Sequence, residues 1–345
     1  MESNLAEQEP VKAVVCANCS HPIIEPGFKT ALCSDCRALF IKFPIPVWVK
    51  FFGGLIVLLV AFSMINLPKN ISTAMHFDRG VDAISAKKYL TATRELSGIV
   101  KKEPEFTEAK EHLAIAAFYN GDLPLFSELM KQLNGKLEDD LTLYSQLTDV
   151  LSKAENYYPT DSFYKLIESR HSMDSIPLNE LEDYVIHHPG EPFATARLAS
   201  MLIDENRYQQ CDSLVTGLLV NDQSYLHALH IKTSVKRQLK QFDSSHYYCD
   251  QILIRNPESS YGLSSNARTF LAERNDQEGL RFAESANKLD PDDGYVIATL
   301  ALAYYFTNKK QESDQLIATL KSNPVNTNYL KFVEDVKSGK EKFRN

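Results

Sequence analysis

The most constraining feature of this 345-residue chain is a repeated spacing. The tripeptides HHP, NDQ, RNP and LDP close helix-like segments at Pro189, Gln223, Pro257 and Pro291, each 34 residues beyond the last. A fixed step of this size marks one supersecondary unit copied along the chain, each copy needing neighbours to bury its apolar face. Between the markers, apolar residues recur at helical intervals broken by short polar turns. In the unit opening near Pro192 the inward set is Leu198, Ala199 and Leu202, followed by Cys211, Val215 and Leu218. Near Ser260 it is Ala267 and Phe270, then Gly279, Ala283 and Ala286. Near Gly294 it is Leu300, Ala301 and Tyr304, then Ser313, Ile317 and Leu320. Small residues are needed where two helices cross closely, and large ones fill the spaces between. The unit near Leu226 is looser, with Lys232 and Thr233 at positions that call for a large apolar and a small residue.

This step is the tetratricopeptide length, and residues 73–338 resemble that family over most of their extent. The resemblance implies an all-α fold, an α-solenoid of helix pairs stacked into a right-handed superhelix with a concave face. Upstream, Gly80, Ala83, Ala92, Leu96, Ile99 and Pro104 fit a further unit, and residues 106–133 another pair with Gly121 in its turn. Between about 140 and 188 the register lapses into three helical segments. A final helix at about 326–338 is polar enough to cap the stack, leaving 339–345 as a tail. The family's groove positions, carried over one by one, fall on His227, His230, Ser234, Arg237, Tyr261, Arg268, Tyr295 and Tyr305. Arg and Tyr suit peptide recognition by hydrogen bonds and stacking. Lys232, Lys236 and Lys240 make this stretch locally basic, which favours an acidic peptide or a terminal carboxylate. The Lys/Asn set of carboxylate-clamp members is not reproduced.

Four of the six cysteines sit in the first 36 residues, as Cys16-x-x-Cys19 and Cys33-x-x-Cys36. Clustering of this kind is a local site, not a disulfide framework. Four thiolates suit one tetrahedral, structural Zn2+, although the ligand set alone would also accept iron. The segment 15–42 resembles the zinc-ribbon and rubredoxin-like families through these cysteines, with PIIEPGF as a hairpin between the pairs. It departs from the usual knuckle at Ser20 and Arg37, where glycine commonly follows the second cysteine. Disulfides or a redox dithiol are the competing readings. Cys211 and Cys249 read as buried small side chains.

Residues 51–67 carry no formal charge, and 47–67 carry only Lys50. That is the length of a transmembrane helix, with Trp48 and Lys50 at an interface. Thiolates persist in a reducing compartment. The expectation is therefore a single-pass protein: a flexible stretch 1–14, the cysteine module on the cytosolic side, a span at 47–67, and the repeats on the opposite side of the bilayer.

The formal charge is −8, and within 1–46 five carboxylates face four lysines and arginines, which argues against nucleic acid as a partner. No nucleophile constellation, phosphate-cradling loop or spaced carboxylate pair emerges, so an enzyme is not expected. The reading is a membrane-anchored scaffold that binds a protein or peptide in its groove. The alternatives are a regulator whose cysteine module contacts a nucleic-acid or transcription partner, and a thiol-redox module.

Overall fold

The computed structural model describes residues 13–41, 45–133 and 141–344, with the side chains of Ile41 and of 64–70 outside the described set. The expected flexible stretch 1–14 therefore lies outside it except for its last two residues, as does Lys42 at the end of the cysteine module. Among the described residues there are 17 α-helices, three short 3-10 turns and no strand. The chain divides into two compact units, Met1–Ile71 and Ser72–Asn345.

The first unit holds the cysteine module, helix α1 (Ser34–Ile41) and the apolar run 47–67. The expected hairpin is absent. PIIEPGF makes a turn at Pro26–Gly27, and Glu25 N–H donates to the Leu32 carbonyl at 3.0 Å without a strand ladder. The second cysteine pair then opens a helix, so the ribbon comparison fails while the four-cysteine cluster stands.

The membrane assignment is also overturned. Among the described residues no helix is long and apolar enough to cross a membrane. Helix α2 (Val47–Ser85) contains the apolar run, with Lys50 and Gly53–Gly54 inside it. From His76 onward the same helix turns amphipathic and joins the repeats, with Ala83 buried. With the span goes the expectation that the two folded parts face different compartments.

The second unit is a tetratricopeptide-like solenoid. The end of α2 pairs with α3 (Tyr89–Lys102), and α4 (Thr107–Asn120) with α5 (Leu123–Leu133). Helices α6 (Leu141–Ala154), α7 (Asp161–Ser169) and α8 (Leu178–His187) follow with two 3-10 turns between them. Then come four pairs in strict register: α9 (Pro192–Asp204) with α10 (Tyr208–Asn221), α11 (Leu226–Gln238) with α12 (Phe242–Arg255), α13 (Ser260–Ala272) with α14 (Asp276–Leu289), and α15 (Gly294–Phe306) with α16 (Lys310–Ser322). Helix α17 (Thr327–Ser338) ends the stack.

The register is visible in the buried faces. The second helix of each pair places Cys211, Ser245, Gly279 and Ser313 at its closest approach, all buried. A Cβ on Gly279 would lie 2.6 Å from the Leu271 side chain, so this crossing tolerates nothing larger without repacking. One turn further on, Val215, Cys249, Ala283 and Ile317 fill the next layer, then Leu218, Ile252, Ala286 and Leu320. Cys211 and Cys249 thus occupy different layers, and both are free and buried. Each large aliphatic side chain so buried contributes about 1.5–3 kcal/mol.

The turn inside each pair repeats as well. Asn206, Lys240, Arg274 and Asn308 all take left-handed backbone, with φ of 57°, 57°, 69° and 64°. The next amide reaches back over the turn each time: Arg207 to Leu202 O, Gln241 to Lys236 O, Asn275 to Phe270 O and Lys309 to Tyr304 O, at 2.8–2.9 Å. Such caps favour glycine or asparagine, because a Cβ costs about 1–2 kcal/mol there. Arg274 is exposed, so Arg274→Gly should raise stability by about 0.5–1 kcal/mol after the added freedom of the unfolded chain is deducted. A denaturant melt reads this as a higher midpoint at unchanged slope.

Within this unit the early repeats also reach the later ones. Thr91 N–H and Oγ1 donate to the two carboxylate oxygens of Glu258, at 2.8 and 2.7 Å. The Glu258 carboxylate therefore caps the start of α3 from 167 residues away. Reciprocally, the Arg94 guanidinium donates to the Leu289 carbonyl at the end of α14. Tyr157 packs edge-on against Tyr225, centroids 4.8 Å apart, and its hydroxyl accepts from Leu226 N–H at 2.9 Å.

Candidate functional site

Two places concentrate chemistry. In the first unit, Cys16, Ala17, Asn18 and Cys19 form a turn closed by Ser20 N–H donating to Cys16 O at 2.9 Å. Ser20 sits at φ 60°, the left-handed conformation for which glycine is usual, so the knuckle persists without it. Cys33 precedes α1, Cys36 lies in its first turn, and Arg37 N–H donates to Cys33 O at 2.9 Å. The four sulfurs all lie within 4.8 Å of one another, with Cys19 Sγ and Cys33 Sγ 3.6 Å apart. Four thiolates about 2.3 Å from a central zinc would stand about 3.8 Å apart, so the cluster fits a tetrahedral ion. The separation is far beyond an S–S bond, and all four thiols are free.

Charge points the same way. The Cys33 amide lowers the Cys16 thiol to about 6, and burial opposes it. The His21 amide favours the Cys19 thiolate, but the crowding sulfurs of Cys36, Cys33 and Cys16 push it up to about 12. Sulfurs this close cannot all ionise without a cation among them. Arg37 braces the rim, paired with Glu25 at 2.8 Å and stacked 3.7 Å above the Phe28 ring.

The second place is on the first helices of the repeats. The His230 ring stacks on Tyr261 (centroids 3.8 Å) and Tyr261 on Tyr295 (4.6 Å), with Tyr329 edge-on beyond. Burial, with help from His227, pushes His230 down to about 3, so it carries no charge at neutral pH. The Arg268 guanidinium lies 3.8 Å above the Tyr295 ring and 4.8 Å from Phe332, and its Nε donates to Thr299 Oγ1 at 2.8 Å. Arg237 reaches Ser234 Oγ at 3.4 Å and Ser265 O at 3.5 Å.

Ser234, Arg237 and Arg268 line one cavity of about 880 Å³. His230 and Tyr261 border another, of about 440 Å³, against Tyr89, Tyr119 and Lys153 of the early repeats. Tyr295 is buried in the stack. His227 and Tyr305 line neither cavity; Tyr305 stands beside Phe306. The eight groove positions are thus divided, and three of them share the larger space.

Six cations line that space, Arg237, Lys240, Arg268, Arg274, Lys331 and Lys342, against the carboxylates of Asp204, Glu273 and Glu341. Arg268 is only 6% exposed and Arg237 half-buried, and among the described residues neither forms an ion pair with a carboxylate. Lys232 and Lys236, expected to add to the basic groove, do not line it. Both are bound to Asp212 of α10, at 2.8 and 2.9 Å. Phe332, Phe343, Lys331 and Lys342 were not among the expected groove residues, since they lie in α17 and the tail, beyond the last full repeat.

No protein-family model matches the chain, and neither does any curated protein. Solved structures do resemble it. A tetratricopeptide repeat protein from Parabacteroides merdae is 12% identical over 76% of this chain and 99% of its own, with a TM-score of 0.40. PilW, a type IV pilus biogenesis factor, is 14% identical over 76% and 97%, with a TM-score of 0.33. Yeast Tom70 is 15% identical over 78% of this chain and 64% of its own, with a TM-score of 0.35. At these scores the description of the fold rests on the chain's own repeated helix pairs.

Proposed function

We propose that residues 72–345 form a protein-interaction scaffold that seats an acidic peptide segment against Arg237 and Arg268, and that residues 13–41 are a structural module held by one zinc ion. The observation that supports the groove reading is the pair of arginines facing an 880 Å³ space with, among the described residues, no carboxylate bound to either. A buried cation without a counter-ion costs several kcal/mol, and the ring of Tyr295 offsets only part of that. A carboxylate brought by a partner would meet preoriented donors at the place where its own desolvation is best compensated. The chain as a whole is negative, so attraction of an acidic segment has to be local.

The test uses the full-length protein and two fluorescent decapeptides, one rich in Glu and Asp, the other rich in Lys. Anisotropy should rise with the acidic peptide alone, and the affinity should fall as salt is added. Arg237→Ala should weaken binding about tenfold, equivalent to about 1.4 kcal/mol. Equal affinity for both peptides, or indifference to Arg237→Ala, refutes the reading.

A further inference from the structure

The C-terminal segment does not trail into solvent. Gly339, at φ 73°, ends α17 in a left-handed cap, with Lys340 N–H donating to Asp335 O at 2.9 Å, and turns the chain back. Phe343 then stacks on Phe306 of α15, centroids 5.7 Å apart, and meets Phe332 edge-on at 6.1 Å. The Arg344 guanidinium lies 3.3 Å from the centre of the Phe306 ring and forms a two-pronged ion pair with Asp276 in the first turn of α14. Its side chain is 16% exposed. Between these anchors, Glu341, Lys342 and Phe343 form part of the wall of the same cavity as Arg237 and Arg268.

We propose that residues 340–344 are a self-latch: the chain's own tail occupies one side of the basic groove and competes with an acidic partner segment for it. This rests on the groove reading above. Three features carry it. The tail brings the carboxylate of Glu341 into a space lined by six cations, which is the chemistry the partner would bring. Its hold runs through two side chains, Phe343 and Arg344, and 340–344 contribute no helix of their own. Its residues Glu341, Lys342 and Phe343 stand in the wall of the space that Arg237 and Arg268 face, so a segment that fills that space meets the tail. An affinity measured on the latched chain is then lowered by the fraction of molecules with the tail displaced.

The experiment measures the acidic decapeptide against the full-length chain, against Phe343→Ala/Arg344→Ala, and against Asp276→Asn, which releases Arg344 from the opposite side of the latch. Both variants should bind about tenfold more tightly than the parent, the result expected if the tail is displaced in about a tenth of parent molecules. Hydrogen exchange at 340–344 should speed up in the parent when peptide is added. Unchanged or weaker binding in both variants overturns the latch and leaves the groove reading standing, with the tail a supporting wall. No binding by the parent or by either released variant refutes the groove reading itself. Circular dichroism melts of the variants distinguish latch release from loss of fold.

Discussion

Full-length protein loaded with zinc is expected to hold one ion per molecule, and a strong chelator is expected to unfold residues 13–41 without moving the melt of helices α9–α16. The core of the module consists of Cys16, Cys33 and Cys36 with Ile24 and Leu32 packed against them. Two half-buried aliphatic side chains, worth about 1.5–3 kcal/mol each at full burial, cannot order a segment of this length. Zinc binding in comparable finger peptides supplies about 10–16 kcal/mol, so the metal would carry the fold. The repeats form a separate compact unit with their own buried layers, which is why their melt should not follow. Cys36→Ser should cost most of the metal affinity, whereas Cys249→Ser, buried in α12, should leave the stoichiometry at one. Hydrogen exchange over 13–41 with metal analysis of the same sample reads both effects. Two disulfides in place of retained metal would overturn the assignment.

The parts legible in the sequence are those that repeat. The 34-residue step located four helix pairs, and the layer positions 211, 245, 279 and 313 follow from it because each crossing repeats the same geometry. The cysteine cluster was legible because ligand spacing is local. What stayed hidden has no period. Thr91 and Glu258 meet only because the solenoid folds back far enough, and nothing in either residue's neighbourhood records that. The left-handed turns were half visible: Gly121, Asn206 and Asn308 suit the conformation, while Lys87, Lys240 and Arg274 adopt it against their preference. The apolar run misled because length and lack of charge are shared by membrane helices and by the long helix α2, which continues into the polar face of the first repeat. The groove residues split because a family position fixes the helix face, whereas burial depends on neighbours. Arg268 and Tyr295 stack on each other instead of standing free.

Lys232 is the residue at which the repeat pattern fails most openly, and it should also be the most sensitive position in the repeats. It takes the slot that holds Leu198 in α9, Asn266 in α13 and Leu300 in α15, and it is 2% exposed. Its ammonium pairs with Asp212 at 2.8 Å and donates to the Asp212 carbonyl at 2.9 Å and to Thr216 Oγ1 at 2.5 Å. Burial pushes its pKa down, and Asp212 opposes the shift. Asp212→Ala leaves that ammonium buried with its carboxylate gone, and the expected loss is about 3–5 kcal/mol in a urea melt. Replacing both partners should behave differently: Asp212→Ala with Lys232→Met restores an apolar slot and should recover most of the loss. The pH dependence has a definite sign. Burial raises the Asp212 carboxyl, but Lys232 and Lys236 outweigh it and hold the group below its ordinary range. Its contribution is therefore complete above the unfolded carboxylate value of about 3.9 and disappears as pH falls through the lower folded value. The parent should lose stability on acidification over that window more steeply than the double variant. A loss under about 1 kcal/mol for Asp212→Ala would mean that water reaches Lys232 and that the pair does not join α10 to α11.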